Sequence, residues 1–318
     1  MCAAAVNAHP GRLAFFVKTT RAGVLPVMAM PVLLGTALAW EQQGIFHPTL
    51  FVLAFLGALA AHLGANVVND VFDFQSGADQ AASQMIVDGQ PQAITTGSAS
   101  LIAGQITLRQ YWVLTASIFA AALACGLALT FLGRPWTLAF AVGGFLLAFF
   151  YVAPPIRLAY VGRGAGEVDI VIAFGVLPLV GAFYVQTGNV TWQAVAVSVV
   201  IGLYTMMVLY FHHFLHWRAD RQVGKMSPVA ALGEERGRVV GYVLQALVAA
   251  SIIVVSVLGA LPWYAVIAAL TLLLPFAALR RADGTLEGYG KLMGSVVNGD
   301  LLACLIMIAA VVIQGIVK

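Results

Sequence analysis

Nine stretches of largely apolar residues recur along the chain, each near the ~20 residues needed to cross a hydrocarbon layer. They run at about 22–40, 49–72, 110–132, 136–153, 168–187, 191–215, 239–259, 262–279 and 297–316. Of the 318 residues 61% are hydrophobic and 9% are charged. A soluble domain carries roughly a quarter charged residues, so an ordinary water-soluble core is excluded. The expected class is an all-α integral membrane protein with nine transmembrane helices around a central cavity. No linker or low-complexity tract divides the chain, which predicts a single domain over 1–318.

Charge placement sets the expected orientation. Of the 16 Lys and Arg residues, 14 fall on one side of these spans, and only Arg134 and Lys318 fall opposite. Basic residues concentrate on the cytoplasmic side of membrane proteins, so the N-terminus is expected in the cytosol. The opening "MCAAAVNAHPGRLAFFVKTTRAG" holds its basic residues against the first span and lacks a cleavage pattern, so 1–21 reads as a cytoplasmic arm. The net charge of +3 is a topology signal, not a nucleic-acid signal. Cys2, Cys125 and Cys304 are scattered without ligand spacing or a disulfide framework.

The connections on the basic side are the long ones. Residues 76–104 and 217–238 are expected to form cytoplasmic cap loops, and loops on a rigid bundle are where chemistry collects. Each follows a span that ends in a polar run. A shared rhythm, Asn69-Asp70-x-x-Asp73-x-x-x-Gly77 against His212-His213-x-x-His216-x-x-x-Asp220, suggests two related halves.

The first run is "NVVNDVFDFQSGAD". As a helix it places Asn66, Asp70 and Asp73 at i, i+4 and i+7 on one face, with Asn69 four before Asp73. Gly77 can end the helix and leave Asp79 just beyond. Carboxylates this close to one another and to lipid ionise only with positive charge nearby. Magnesium meets that need: it prefers oxygen ligands and bridges carboxylates to substrate phosphates. The second run, "FHHFLHWRADRQVGK", places His212, His213, His216 and Asp220 on one broad helix face, with Arg221 and Lys225 adding charge. Imidazole is a poor magnesium ligand, so two uses stay open: binding another metal or hydrogen-bonding phosphate oxygens. Interfacial histidines satisfied by backbone and water are the bland alternative.

With these residues in view, the chain resembles the UbiA superfamily of intramembrane aromatic prenyltransferases. Within it, the chain is most similar to the branch that prenylates 1,4-dihydroxy-2-naphthoate. The acidic run matches that branch's motif at Asn69, Asp70, Asp73, Gly77 and Asp79. "TTRAGVLPVMAMPVLLGTALA" resembles its first span, "YVAPPIRLAYVG" the segment after the fourth, and "DRQVGKMSPVAALG" the end of its second acidic motif at Asp220, Gly224 and Lys225. The resemblance implies a multi-pass protein of a bacterial cytoplasmic membrane. Its function would be transfer of an isoprenyl group from magnesium-bound isoprenyl pyrophosphate to a lipophilic, aromatic or quinone-precursor acceptor. It implies Asp70, Asp73 and Asp220 as metal ligands, supported by Asn66 and Asn69, with Asp79 binding metal or orienting the acceptor. Arg21, Arg157 and Lys225 would hold phosphate. Tyr151 and Tyr160 would offer ring faces to the developing cation.

Two departures fall at the expected substrate site. His212, His213 and His216 stand where the family's second motif carries Asn and Asp, and Gln92 stands where the naphthoate branch carries Arg. An acceptor-independent terpene cyclase or pyrophosphate lyase therefore stays open. An ion-coupled transporter fits less well, because transporters place ionisable groups near the midplane and here both polar runs close the ends of spans.

Overall fold

The computed structural model describes residues 11–81, 98–222 and 224–318. Gln92 and the rest of 82–97 lie outside them. Helices make up the bundle, and eight are long and apolar enough to cross a membrane: α1 (Ala22–Gln43), α2 (Pro48–Ser76), α3 (Leu108–Phe131), α5 (Ala165–Thr187), α6 (Trp192–Gln222), α7 (Glu234–Val257), α8 (Trp263–Arg281) and α9 (Leu286–Val317). The ninth expected span, 136–153, is realised as the shorter α4 (Thr137–Phe150), whose 14 residues reach only about 21 Å. It stops there because the chain turns at Tyr151 and runs into Pro154 and Pro155, which cannot continue a helix.

Helix length places the polar runs. The 29 residues of α2 span about 43 Å and the 31 of α6 about 46 Å, against a hydrocarbon core of about 30 Å. Each helix therefore exceeds that layer by about two to three turns, and the polar run at its C-terminal end is where the excess is least costly to place. Gly77 ends α2 at φ +81°, a left-handed cap that an L side chain adopts only with strain. The second expected cap loop, 217–238, is mostly helical. Helix α6 runs on to Gln222, Pro228–Leu232 forms a short helix capped by Ser227, and α7 starts at Glu234.

Helices α1, α5, α6, α7, α8 and α9 enclose one large apolar core, which holds Leu34, Phe183, Tyr204, Phe211, Val248, Leu272 and Val296. A cavity of about 410 Å³ lies among α1 to α5, lined by groups such as Val32, Ala58, Ala61, Phe119, Phe145 and Ala173.

Helix α5 contains a π-helical turn at Val171–Val176 where it crosses α6. Gly175 and Gly202 allow this crossing. A Cβ at Gly175 would run into the carbonyl oxygen of Ser198 and the backbone of Gly202. Gly175→Ala is expected to cost about 1–3 kcal/mol, as overpacking of a tight contact does. A thermal melt in detergent checks this, and an unchanged midpoint would show that the crossing can relax.

Candidate active site

The face expected on α2 is present, and each side chain on it is committed to a neighbour. Asp70 is fully buried and forms an ion pair with Arg21. Arg21 sits at φ +53°, left-handed, between the short helix Arg12–Thr19 and α1. One turn earlier on α2, Asn66 Nδ2 donates to the Thr20 carbonyl at 3.1 Å, pinning the same segment. Burial opposes the charge on Arg21, but Asp70, with Asp79 and Asp73, outweighs it and raises the guanidinium above its ordinary pKa.

Asp73 is the hub of the site. Tyr160 donates its hydroxyl to Oδ1 at 2.9 Å, Lys225 donates to Oδ2 at 3.3 Å, and Asn69 Nδ2 donates to Oδ2 at 3.0 Å. The Tyr160 hydroxyl also lies 2.8 Å from Ser76 Oγ. Burial, then the charge of Asp73, pushes this phenol up to about 12, so it stays protonated as a donor. The Arg157 guanidinium lies 3.8 Å over the Tyr160 ring and Lys225 Nζ lies 5.3 Å from its centroid. The ring expected to face a substrate cation therefore faces two protein cations. Tyr151, at the end of α4, is within electrostatic reach of Lys225 and Asp73.

Three chain segments meet here: the end of α2, the turn at 157–164, and the connection after α6. The last two dock through Gly162, at φ +74°, where an added Cβ would come 3.0 Å from the Met226 carbonyl oxygen. Arg157 and Arg163, like Arg21, hold positive φ. Backbone strain of this kind clusters at ligand sites and switch regions.

The α6 run does not form the expected single face. Adjacent helical residues point about 100° apart. Thus His213 turns to α5 and meets Glu167 Oε1 at 3.0 Å, while His212 and His216 pack on each other with ring centroids 4.8 Å apart. Asp220 is buried, its carbonyl accepts from the Lys225 amide at 2.8 Å, and its carboxylate adds to the field on Lys225. Burial opposes the charge of Lys225, but Asp73 and Asp220 outweigh it and hold its pKa above the ordinary lysine value.

The expected metal set of Asp70, Asp73 and Asp220 is not gathered. Among the described residues no three His, Cys, Asp or Glu side chains converge to hold one ion. The reason is local: Asp73 spends both oxygens on Tyr160, Lys225 and Asn69. Two carboxylate oxygens of this acidic run have no partner among the described residues, Asp70 Oδ2 and Asp79 Oδ2, both buried. Burial and the charge of Asp73 raise the pKa of Asp79. Buried carboxylate oxygens left unpartnered, within electrostatic range of one another and of Asp73, have the chemistry of a hard-cation site.

Two residues here escaped the sequence reading. Glu167 is the partner of His213, 46 positions away. His62 lies at i−4 from Asn66 and i−11 from Asp73, in phase with the acidic face, and its phase was the available signal. None of the charged or histidine candidates lines the apolar cavity. On α2 the cavity-lining Ala58 and Ala61 give way directly to His62 and then to the polar face.

The model of the UbiA prenyltransferase family matches residues 28–285. A 2-carboxy-1,4-naphthoquinone phytyltransferase from Synechocystis is 30% identical over 213 residues, which cover 66% of this chain and 64% of that protein. This chain therefore spans less than two thirds of that relative's length. A 1,4-dihydroxy-2-naphthoate octaprenyltransferase from Mycobacterium tuberculosis is 28% identical over 251 residues, 78% of this chain and 79% of its own. Among solved structures, a UbiA homolog from Archaeoglobus fulgidus bound to DMAPP and Mg2+ shares the fold, with a TM-score of 0.64 over 91% of this chain and 99% of that one at 17% identity.

Proposed function

The chain belongs to the UbiA prenyltransferase family, and from that premise we propose that it transfers an isoprenyl group from isoprenyl pyrophosphate to a lipophilic aromatic acceptor of the naphthoate type. The observation that carries this reading is one end of a membrane bundle where buried carboxylates are interleaved with Arg21 and Lys225, next to an apolar cavity. The basic bias of that end supports a cytosolic orientation, with α4 as a short ninth crossing and the whole described chain acting as one domain.

In this reading Arg21, Arg157 and Lys225 hold the pyrophosphate, and the tail lies along the cavity lined by Ala58, Ala61 and Phe119. Asp70 and Asp79 would hold magnesium through their free oxygens, and the bound ion supplies positive charge to the leaving group. Asp73 keeps Lys225 and Tyr160 in place. Asp220 supports the charge of Lys225. The C1–O bond breaks, its electron pair leaves with pyrophosphate, and the allylic carbon becomes cation-like. A ring carbon of the acceptor then bonds to it and passes its proton to the released pyrophosphate or to water. Arg21, Arg157 and Lys225 stabilise charge that grows only as the bond breaks, which is where electrostatic preorganisation acts most strongly.

The test is pyrophosphate release from purified protein. Release is expected to require both magnesium and a dihydroxynaphthoate-type acceptor, and to stop with EDTA. Release with a hydrocarbon or alcohol product and no acceptor would instead favour the cyclase reading.

A further inference from the structure

His62 is buried to 4% exposure in α2, among apolar neighbours, and its edge lies against the Phe174 ring of the π turn with centroids 5.2 Å apart. Its Nε2 lies 3.3 Å from Asn66 Nδ2. The same Nδ2 donates to the Thr20 carbonyl, which can only accept, so this atom of Asn66 is the amide nitrogen. An amide nitrogen carries two protons and no acceptor site. The second proton therefore goes to His62, and Nε2 is the accepting nitrogen. In a neutral imidazole the other nitrogen then carries the hydrogen. That nitrogen, Nδ1, is buried and has no partner among the described residues. A buried N–H without an acceptor is costly, and such groups in native structures call for a ligand, a water or a functional reason.

Its position says which ligand. His62 is eight residues before Asp70, about 12 Å along the helix toward the apolar cavity. His62 and Phe174 stand behind the wall of that cavity rather than in it: their sequence neighbours Ala61 and Ala173 line it, so an acceptor seated there is one side-chain layer from Nδ1. Arg21, Lys225 and Arg157, the groups suited to pyrophosphate, lie beyond Asn66 at the helix end. A single neutral donor in apolar surroundings suits an uncharged or phenolic oxygen better than a multiply charged phosphate.

We infer that His62 is the acceptor-orienting residue: its Nδ1–H donates a hydrogen bond to a ring oxygen, hydroxyl or carbonyl, of the aromatic acceptor, and so turns the attacked carbon toward the allylic end of the tail. Asn66 fixes the tautomer from one side and Phe174 fixes the ring plane from the other. This role rests on the transferase reading above.

The test compares wild type with His62→Phe, which keeps a ring against Phe174 and removes the donor, and His62→Gln, which retains an N–H. Steady-state rates are measured while acceptor and isoprenyl pyrophosphate are varied separately. His62→Phe is expected to raise the acceptor KM about tenfold or more, the weight of a lost buried hydrogen bond. The pyrophosphate KM should stay within about twofold of wild type, and His62→Gln should recover part of the acceptor KM. His62→Leu replaces the Phe variant if the larger ring does not pack. An unchanged acceptor KM in a folded variant, or a pyrophosphate KM that rises in step, overturns the assignment. Wild-type protein that transfers nothing contradicts the transferase reading itself, whereas transfer indifferent to His62 contradicts this inference alone.

Discussion

Asp70→Asn should leave a folded protein that transfers isoprenyl groups about a thousandfold more slowly or not at all, the order seen when a charge-stabilising group is removed from an active site. The substitution keeps shape and takes away the anion that faces Arg21 on one oxygen and is unpartnered on the other. Asp70 is fully buried but Arg21 keeps 35% of its side chain exposed, so water solvates the guanidinium in part once its partner is gone, and the loss of stability should be smaller than for a fully buried pair. A fall in kcat with a melting midpoint near wild type is therefore the signature expected. Wild-type rates in Asp70→Asn would remove the acidic face from the chemistry.

The second large effect belongs to Lys225. Its ammonium reaches both oxygens of Asp73, at 3.3 and 3.5 Å, and the pair is mostly buried, with side-chain exposures of 14% and 8%. Lys225→Met should lower kcat/KM by about a hundredfold, chiefly through a raised KM for pyrophosphate. It should also destabilise the protein by about 3 kcal/mol, because Asp73 loses the cation paired with it and keeps Tyr160 and Asn69 as hydrogen-bond donors. The pH behaviour follows from the direction of the shift. Burial lowers the pKa of Lys225, and the charges of Asp73 and Asp220 raise it by more. A raised lysine contributes its full stability below the ordinary value of about 10.4 and loses it only as pH passes the higher folded value. No limb of the pH–rate profile below about pH 10 should therefore belong to Lys225. Such a limb in wild type, absent from Lys225→Met, would show that the ammonium is less well paired than the geometry indicates.

Local spacing made the α2 face legible. Asn66, Asp70 and Asp73 repeat at helical period, and the structure keeps them on one side, with Asn69 bonded to Asp73 within the same helix. The long apolar runs gave the bundle for the same reason, since each span is a local property. What spacing alone does not determine is which distant group meets which. Four residues on α6 sit within one broad arc, yet His213 turns to Glu167 and leaves His212 and His216 with each other. Glu167 stands 46 residues away, and nothing near His213 announces it. The grouping of Asp70, Asp73 and Asp220 is likewise more than spacing can set. A helix face says that carboxylates are neighbours, not that Tyr160 and Lys225 will take the oxygens of one of them. The length of α4 depended on a turn at Tyr151, which apolar composition through residue 153 concealed. His62 was in phase with the acidic face, but a lone histidine in an apolar span reads as packing until the partner of each ring nitrogen is known.

If the carboxylates ending α2 take up a divalent ion together with a pyrophosphate ester, the two ligands must bind as one. The most direct measurement is calorimetric titration of the wild-type protein in detergent with a non-reacting isoprenyl thiolopyrophosphate, with and without magnesium. Saturable binding that needs magnesium, and that vanishes in Asp70→Asn, is the result expected. Binding of equal strength without magnesium, or undiminished in Asp70→Asn, would contradict the account.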